Sequence, residues 1–261
     1  MPSNPGFRLG RLPRTFDPRV PKMSALLAGQ VLPAPPPTAD WTGPLPANLG
    51  MMMNDTLGDC TCAAFYHAVQ VWTANANPPI VTAPDPVVEK LYEQGCGYKP
   101  AQGGEGPGGN EQHLLTYILK KGAPAPNGSG RVKIAAFVEV DHTNIDAVKR
   151  TIADCGVAYI GFTVPAFVMP HNAPPPKVWD VNPNADNSSV GGHAVVLVGY
   201  DANGAKLISW GQYYTMTWAF FGQFVDEVYA LADADWIEST GNSPGGLSLA
   251  ALEQQMQALK E

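Results

Sequence analysis

The chain has 261 residues, of which 45% are hydrophobic and 15% charged, with a formal net charge of −7. That balance is globular rather than disordered. Its 16 basic residues form no run and are outnumbered by 23 acidic ones, which argues against nucleic-acid binding. No apolar run approaches the ~18 residues of a membrane span. The basic N-terminal stretch lacks the apolar segment of an export signal, so a cytoplasmic protein without membrane contact is expected.

The 27 glycines and 26 prolines predict many long ordered loops. Residues 1–39 read as a Pro-rich arm, with Pro13, Pro18, Pro21, Pro33, Pro35, Pro36 and Pro37 denying helix and ladder hydrogen bonds. Met23 to Leu27 is a short apolar stretch that could dock on the body. The simpler expectation for the arm is an extension; the alternative is an inhibitory segment lying over a cleft. A central, buried helix is predicted from Gly58 to about Trp72, ended by Pro78 and Pro79. Helices at 85–94 and 111–121 follow, the second capped by Gly122, with a Gly-rich loop at 101–109 between them. A strand is predicted at 133–140, a helix at 144–154 and a buried strand at 157–164. A Pro- and Asn-rich loop spans 169–190, and strands are expected at 193–199, 205–210, 217–221 and near 227–231. Leu249, Leu252, Met256 and Leu259 form a helical stripe in the tail at 241–261, suited to docking on its own domain or to a short coiled-coil contact. Helices first and strands second give an α+β protein with two halves, about 55–125 and 130–238, in a domain covering 40–240. A cleft between the halves is a natural place for a site.

Cys60 stands just after Gly58-Asp59, at the start of the buried helix. A thiol there meets the positive end of the helix dipole, which favours the thiolate. A lone cysteine is more often a small buried hydrophobe. The balance shifts with V-G-G-H-A-V-V-L-V-G-Y (190–200), where His193 opens an apolar strand after two glycines that leave space for backbone or ligand. A cysteine nucleophile needs such a base from distant sequence. A Cys60 thiolate paired with a His193 imidazolium is therefore expected. Cys60 and Cys62 are too close to bridge within one helical turn, and with Cys96 and Cys155 they are expected to be free thiols.

Together these segments resemble the papain-like cysteine peptidases over about residues 39–238. The landmarks, in order, are Asp40-Trp41, Gly58-Asp59-Cys60, Gly108-Gly109 before a helix, His193 through Tyr200, and Ser209-Trp210-Gly211. The resemblance implies a papain-like fold with a helical left half, an antiparallel β-barrel-like right half and the site in the cleft between them. It makes Cys60 the nucleophile and His193 the general base and acid. Asn54, six residues upstream of Cys60, stands where the family has an oxyanion-hole Gln. Gly108 and Gly109 would line the substrate groove, with Gly109 hydrogen-bonding an extended peptide, and Trp210 would shield the histidine from water. Three departures stand out. Thr61 replaces the Trp after the nucleophile. Leu57 replaces a disulfide cysteine. The Asn that orients the histidine is missing, its place held by Ile208 or Ser209 depending on which landmark is counted from. Ser209 could hydrogen-bond the imidazole and Ile208 could not; loss of the third member predicts a weaker enzyme.

Two functions follow. The first is a thiol peptidase acting on a peptide or protein substrate through an acyl-enzyme. The second is a weakened or inactive binding or structural protein on the same fold, since the chain is also similar to uncharacterised papain-like proteins of bacteria and their phages, which admits a virion or prophage role. His67, inside the central helix, reads as a structural histidine, and His113, His142 and His171 lack metal-ligand spacing. No metal or other cofactor is expected, because Cys60-x-Cys62 has no second pair to complete a zinc site. A monomer or small oligomer is expected.

Overall fold

The protein is described by a computed structural model of residues 6–76 and 80–260. An extended N-terminal segment leads to the short helix α1 (Met23–Leu26) and to β1 (Ala39–Asp40). The helical half holds α2 (Cys60–Ala76), α3 (Asp85–Cys96) and α4 (Glu111–Lys121). It is followed by the small pair β2 (Ala123–Pro124) and β3 (Arg131–Val132), then by β4 (Ala136–Glu139) and α5 (Ile145–Cys155). The second half continues with β5 (Ala158–Pro165), β6 (Val178–Trp179), β7 (Ser189–Tyr200), β8 (Gly204–Ser209) and β9 (Gln212–Thr217). It ends with α6 (Trp218–Phe224), β10 (Val225–Ala232) and α7 (Ala234–Thr240), and the chain closes with α8 (Leu249–Gln255) and α9 (Gln257–Lys260).

The fold is α+β, as the order of elements implies. One sheet runs β4-β10-β5-β7-β8-β9-β6, with β1 added along β7. Its ladders are antiparallel except for the short β6, which runs parallel to β9. Helix α2 packs across β7 at the middle of the molecule. Fourteen of its 17 residues are buried, so it is apolar nearly all round rather than on one stripe. Helices α4 and α5 start where Asn110 and Asn144 accept the His113 and Ala147 amides, each filling an orphan donor of the first turn. No helix among the described residues is long and apolar enough to cross a membrane.

Several expectations are corrected. The predicted strand at 217–221 is instead the end of β9 followed by α6. Thr217 caps that helix by accepting the Phe220 amide, and Phe220, Phe221 and Phe224 bury on one side of it. An apolar run as short as Trp218 to Phe221 fits either periodicity, and the cap decides it. His193 does not open its strand. β7 begins at Ser189, because Gly191 and Gly192 keep pairing with Val164 and Thr163. The predicted strand at 133–140 is shorter, and the loop at 169–190 contains β6. Helix α7 was not anticipated; Asp233 caps it, and Trp236 buries beneath Gly156. Pro78 and Pro79 lie outside the described residues. The tail stripe docks on its own domain, with Leu252, Met256 and Leu259 buried against the β4 and α4 region.

Candidate active site

Cys60 is the first residue of α2, and the Asp59 carbonyl accepts the Cys62 and Ala63 amides that close the first turn. Across the cleft lies β7. The backbone of Ala194, the residue after His193, lies beside the Cys60 sulfur, where its N–H favours the thiolate. On β5, Phe162 faces His193 in register and packs edge-on against its ring at 5.8 Å between centroids. The His193 Nε2 and the Ser209 hydroxyl are 2.7 Å apart. Nδ1 is buried and has no hydrogen-bond partner among the described residues. Nε2–H donating to Ser209 leaves the Nδ1 lone pair available as a base. Of the two candidates for the orienting position, Ser209 is the one in contact; Ile208 is buried in the β8 ladder opposite Val196.

Trp210 stacks on the His193 ring, 4.4 Å between centroids and 15° from parallel. It stands in the two-residue turn joining β8 to β9, where Trp210 and Gly211 both have positive φ (47° and 68°). Such a turn matches the strand twist, but a bulky residue adopts it only under tertiary constraint. The constraints are the His193 stack, an edge contact with Phe7 and an Nε1–H bond to the Arg8 carbonyl at 3.1 Å.

Asn54 is buried with its amide near the loop before α2. Its Nδ2 donates to the Leu57 carbonyl (3.1 Å) and to Asp59 (3.2 Å), so both amide hydrogens are already engaged. Burial raises the Asp59 carboxyl well above its usual range, even though Asn54 and a backbone bond oppose it. Gly108 donates its N–H to the Tyr92 hydroxyl at 2.7 Å. Gly109 lies over Thr61 and the Cys96 sulfur, where a Cβ would collide with both. Cys96 in turn lies 3.9 Å from the Cys62 sulfur, and all four cysteines are free. His67 is buried and within reach of Gln70 at 3.3 Å, inside α2 and apart from the cleft.

The cleft is filled by the chain's own arm. Arg8 donates its amide to Asn54, and Gly10 and Arg11 donate theirs to the Gly192 carbonyl. Gly109 donates to the Gly10 carbonyl at 2.8 Å and accepts from Leu12 at 2.9 Å. The Gly10 backbone also lies beside the Cys60 sulfur. Glycine is required at each crossing. A Cβ on Gly10 would overlap the Gly58 carbonyl, one on Gly192 would stand 2.6 Å from the Arg11 carbonyl, and one on Gly191 would press on Leu9. The two glycines before His193 thus make room for a backbone, and that backbone is the arm.

With the arm seated, neither catalytic candidate is charged. Burial pushes the Cys60 thiol up to about 12, against the two backbone N–H groups that favour the thiolate. Burial alone lowers His193 to about 3. The expected thiolate–imidazolium pair is therefore not the state of this conformation. Desolvation exceeds the helix dipole, which is worth only ~0.3–2 kcal/mol.

No protein-family model and no curated protein matches this chain. Solved structures do. Xylellain, a cysteine protease from Xylella fastidiosa, aligns with 90% of this chain and 98% of its own at TM-score 0.64 and 18% identity. Procathepsin L 3 from the larval midgut of Tenebrio molitor aligns over 88% of this chain and 76% of its own (TM-score 0.54, 12% identity). Procathepsin B S9 from Trypanosoma congolense aligns over 87% and 86% (TM-score 0.54, 12% identity). The fold is papain-like.

Within that papain-like fold, the sequence landmarks bring Cys60, His193, Ser209, Trp210 and Gly109 to one cleft. Sequence reasoning missed the arm's side of it: Gly10, Arg11 and the carboxylates that receive Arg11. One signal was present, the pair Asp226-Glu227 inside an otherwise apolar strand. The Ser209 contact makes a separate prediction. Ser209→Ala leaves a second buried ring nitrogen without a partner and should lower unfolding stability by about 1–3 kcal/mol in urea melts. Unchanged stability would show that the hydroxyl does not hold the ring.

Proposed function

We propose that the chain is a cysteine peptidase that cuts peptide or protein substrates through an acyl-enzyme, and that residues 7–14 keep it latent. The observation that carries this reading is an extended backbone already seated in the cleft. It is hydrogen-bonded on both sides by Gly109 and Gly192 and passes over the Cys60 sulfur. A cleft that binds a backbone this way is equipped to bind a substrate. The arm runs parallel to the backbone at Gly109 and antiparallel to Gly192 on β7. Two of the similar structures are precursor forms by name.

When the arm leaves, water reaches the site and the desolvation that holds both groups neutral relaxes. The His193 Nδ1 takes the Cys60 proton, with Ser209 and Trp210 fixing the ring. The sulfur attacks the carbonyl carbon, and the oxyanion forms against the Cys60 N–H at the head of α2. The protonated His193 gives its proton to the leaving amine. Water, deprotonated by His193, then attacks the thioester and releases the acid. Asn54 joins the oxyanion site only if its amide turns away from Leu57 and Asp59.

The second reading is a binding or structural protein with a decayed site. It is favoured by that engaged Asn54 amide and by the missing orienting Asn. The two are separated by hydrolysis of a quenched-fluorescence peptide mixture by the full chain carrying Gly10→Val, which cannot seat the arm. Turnover that disappears with an added Cys60→Ala is expected. Absence of turnover, or turnover indifferent to Cys60→Ala, would favour the second reading.

A further inference from the structure

The side chain of Arg11 leaves the arm beside Gly109 and enters a pocket of three carboxyl groups. Its Nε is 2.9 Å from the Glu227 Oε1 and 3.8 Å from the Glu111 Oε2. Its Nη1 is 3.2 Å from the Asp226 Oδ2, and Nη2 bonds both Asp226 and Glu227. The Arg11, Glu111 and Glu227 side chains are 3%, 0% and 0% exposed, while Asp226 at 45% forms the rim.

The pocket is built for a guanidinium. Consecutive strand residues point to opposite faces, yet Asp226 and Glu227 both reach Arg11. The β10 ladder shifts register between Val225 and Glu227, and such a bulge re-aims side chains. The floor is Gly161 on β5, where a Cβ would overlap the Arg11 Nε and lie 2.6 Å from the Glu111 carboxyl. Tyr229 donates to the other Glu227 oxygen at 2.8 Å, which fixes that carboxylate with one edge facing the arginine. The Glu111 carboxyl lies against that of Glu227, close enough for the two to share a proton. Burial and the neighbouring Glu227 hold Glu111 well above the usual carboxyl range, so it keeps its proton beside an ionised Glu227. Without a cation, this arrangement leaves a buried carboxylate uncompensated, which is costly.

We propose that this pocket, formed by Glu111, Gly161, Asp226 and Glu227 beside Gly109, is a specificity subsite that selects substrates carrying arginine there, and that Arg11 is its internal occupant. The inference rests on the peptidase reading for its meaning but not for its test. Lysine places a point charge where the carboxylates present a fork, and it is the weaker ligand.

The test uses the full chain carrying Gly10→Val and Arg11→Ala, which frees the cleft and empties the pocket, together with Cys60→Ala so that nothing is cut. Fluorescent blocked tetrapeptides with Arg, Lys, Leu or Glu at one scanned position are titrated by anisotropy. At one position, Arg should bind about ten- to hundredfold more tightly than Leu, with Glu weakest. Glu227→Gln should erase the preference. Asp226→Asn, at the half-exposed rim where folding tolerates it, should reduce it severalfold. Equal binding of Arg and Leu, no binding of the Arg peptide, or a preference untouched by both substitutions would overturn the assignment and leave the pocket as a latch for the arm alone. The same peptides are then offered to the chain with Cys60 restored. Selective binding without cleavage would count against the peptidase and keep the subsite, and cleavage blind to arginine would do the reverse.

Discussion

In the full chain carrying Gly10→Val, iodoacetamide at pH 6 should alkylate Cys60 about a hundredfold faster than in the wild type. The estimate follows from burial. In the arm-seated state the thiol is pushed up to about 12, whereas an ordinary cysteine titrates near ~8.5. The thiolate fraction at pH 6 then rises by over three orders of magnitude when the site opens. Thiolate reactivity falls by roughly half a logarithm per unit of lowered pKa, which leaves about two orders as the net gain. An imidazolium formed at His193 would add to it. Valine at position 10 achieves the opening because its Cβ and the Gly58 carbonyl cannot occupy the same space. Peptide mapping must follow Cys60 alone, since Cys96 is only partly buried and offers a second site of alkylation in both chains. A rate at Cys60 within twofold of the wild type, with unchanged circular dichroism, would show that the arm does not control the nucleophile.

Much of this arrangement was legible before any coordinates, and the reasons differ by element. α2 was legible because its apolar character extends round the helix and its start is marked by Gly58-Asp59. α4 and α5 were legible because Asn110 and Asn144 cap them and their apolar spacing is regular. The pairing of Cys60 with the His193 strand was legible as a resemblance, since nothing local connects positions so far apart in sequence. Ser209 and Ile208 could not be separated by counting. The ladder register, which pairs Ile208 with Val196 and leaves Ser209 at the strand end, separates them. α6 was misread because four apolar residues carry no period. The arm's path was hidden for a different reason. Prolines predict what a segment cannot form, and they say nothing about the cleft it enters. Arg11 is one arginine in a chain with 16 basic residues, and only the bulge at Val225–Glu227 turns two consecutive carboxylates toward it.

The buried histidines give the second large expectation. Burial lowers His193 to about 3 and His67 to about 4, against an ordinary 6.5. The folded chain therefore binds these protons less readily than the unfolded chain. Below pH 6.5 the unfolded state takes them up first, and each ring withdraws about 1.4 kcal/mol of stability per pH unit until its own folded value is reached. The whole-protein slope conceals this. Asp59 and Glu111 are raised by burial, hold their protons when folded and push stability the opposite way over the same range. A single substitution isolates the term. His67 is remote from the cleft, so His67→Gln removes one titration without touching the arm or the nucleophile. Relative to wild type, the variant should gain about 2–3 kcal/mol of unfolding free energy between pH 6.5 and pH 4.5, read from urea melts at the two values. A difference that stays constant with pH would mean that the His67 ring takes up its proton in the folded chain as readily as in the unfolded one. The same subtraction with His193→Gln should give a term of the same sign in the arm-seated chain. In a Gly10→Val background that term should shrink, because an opened cleft lets water solvate the imidazolium.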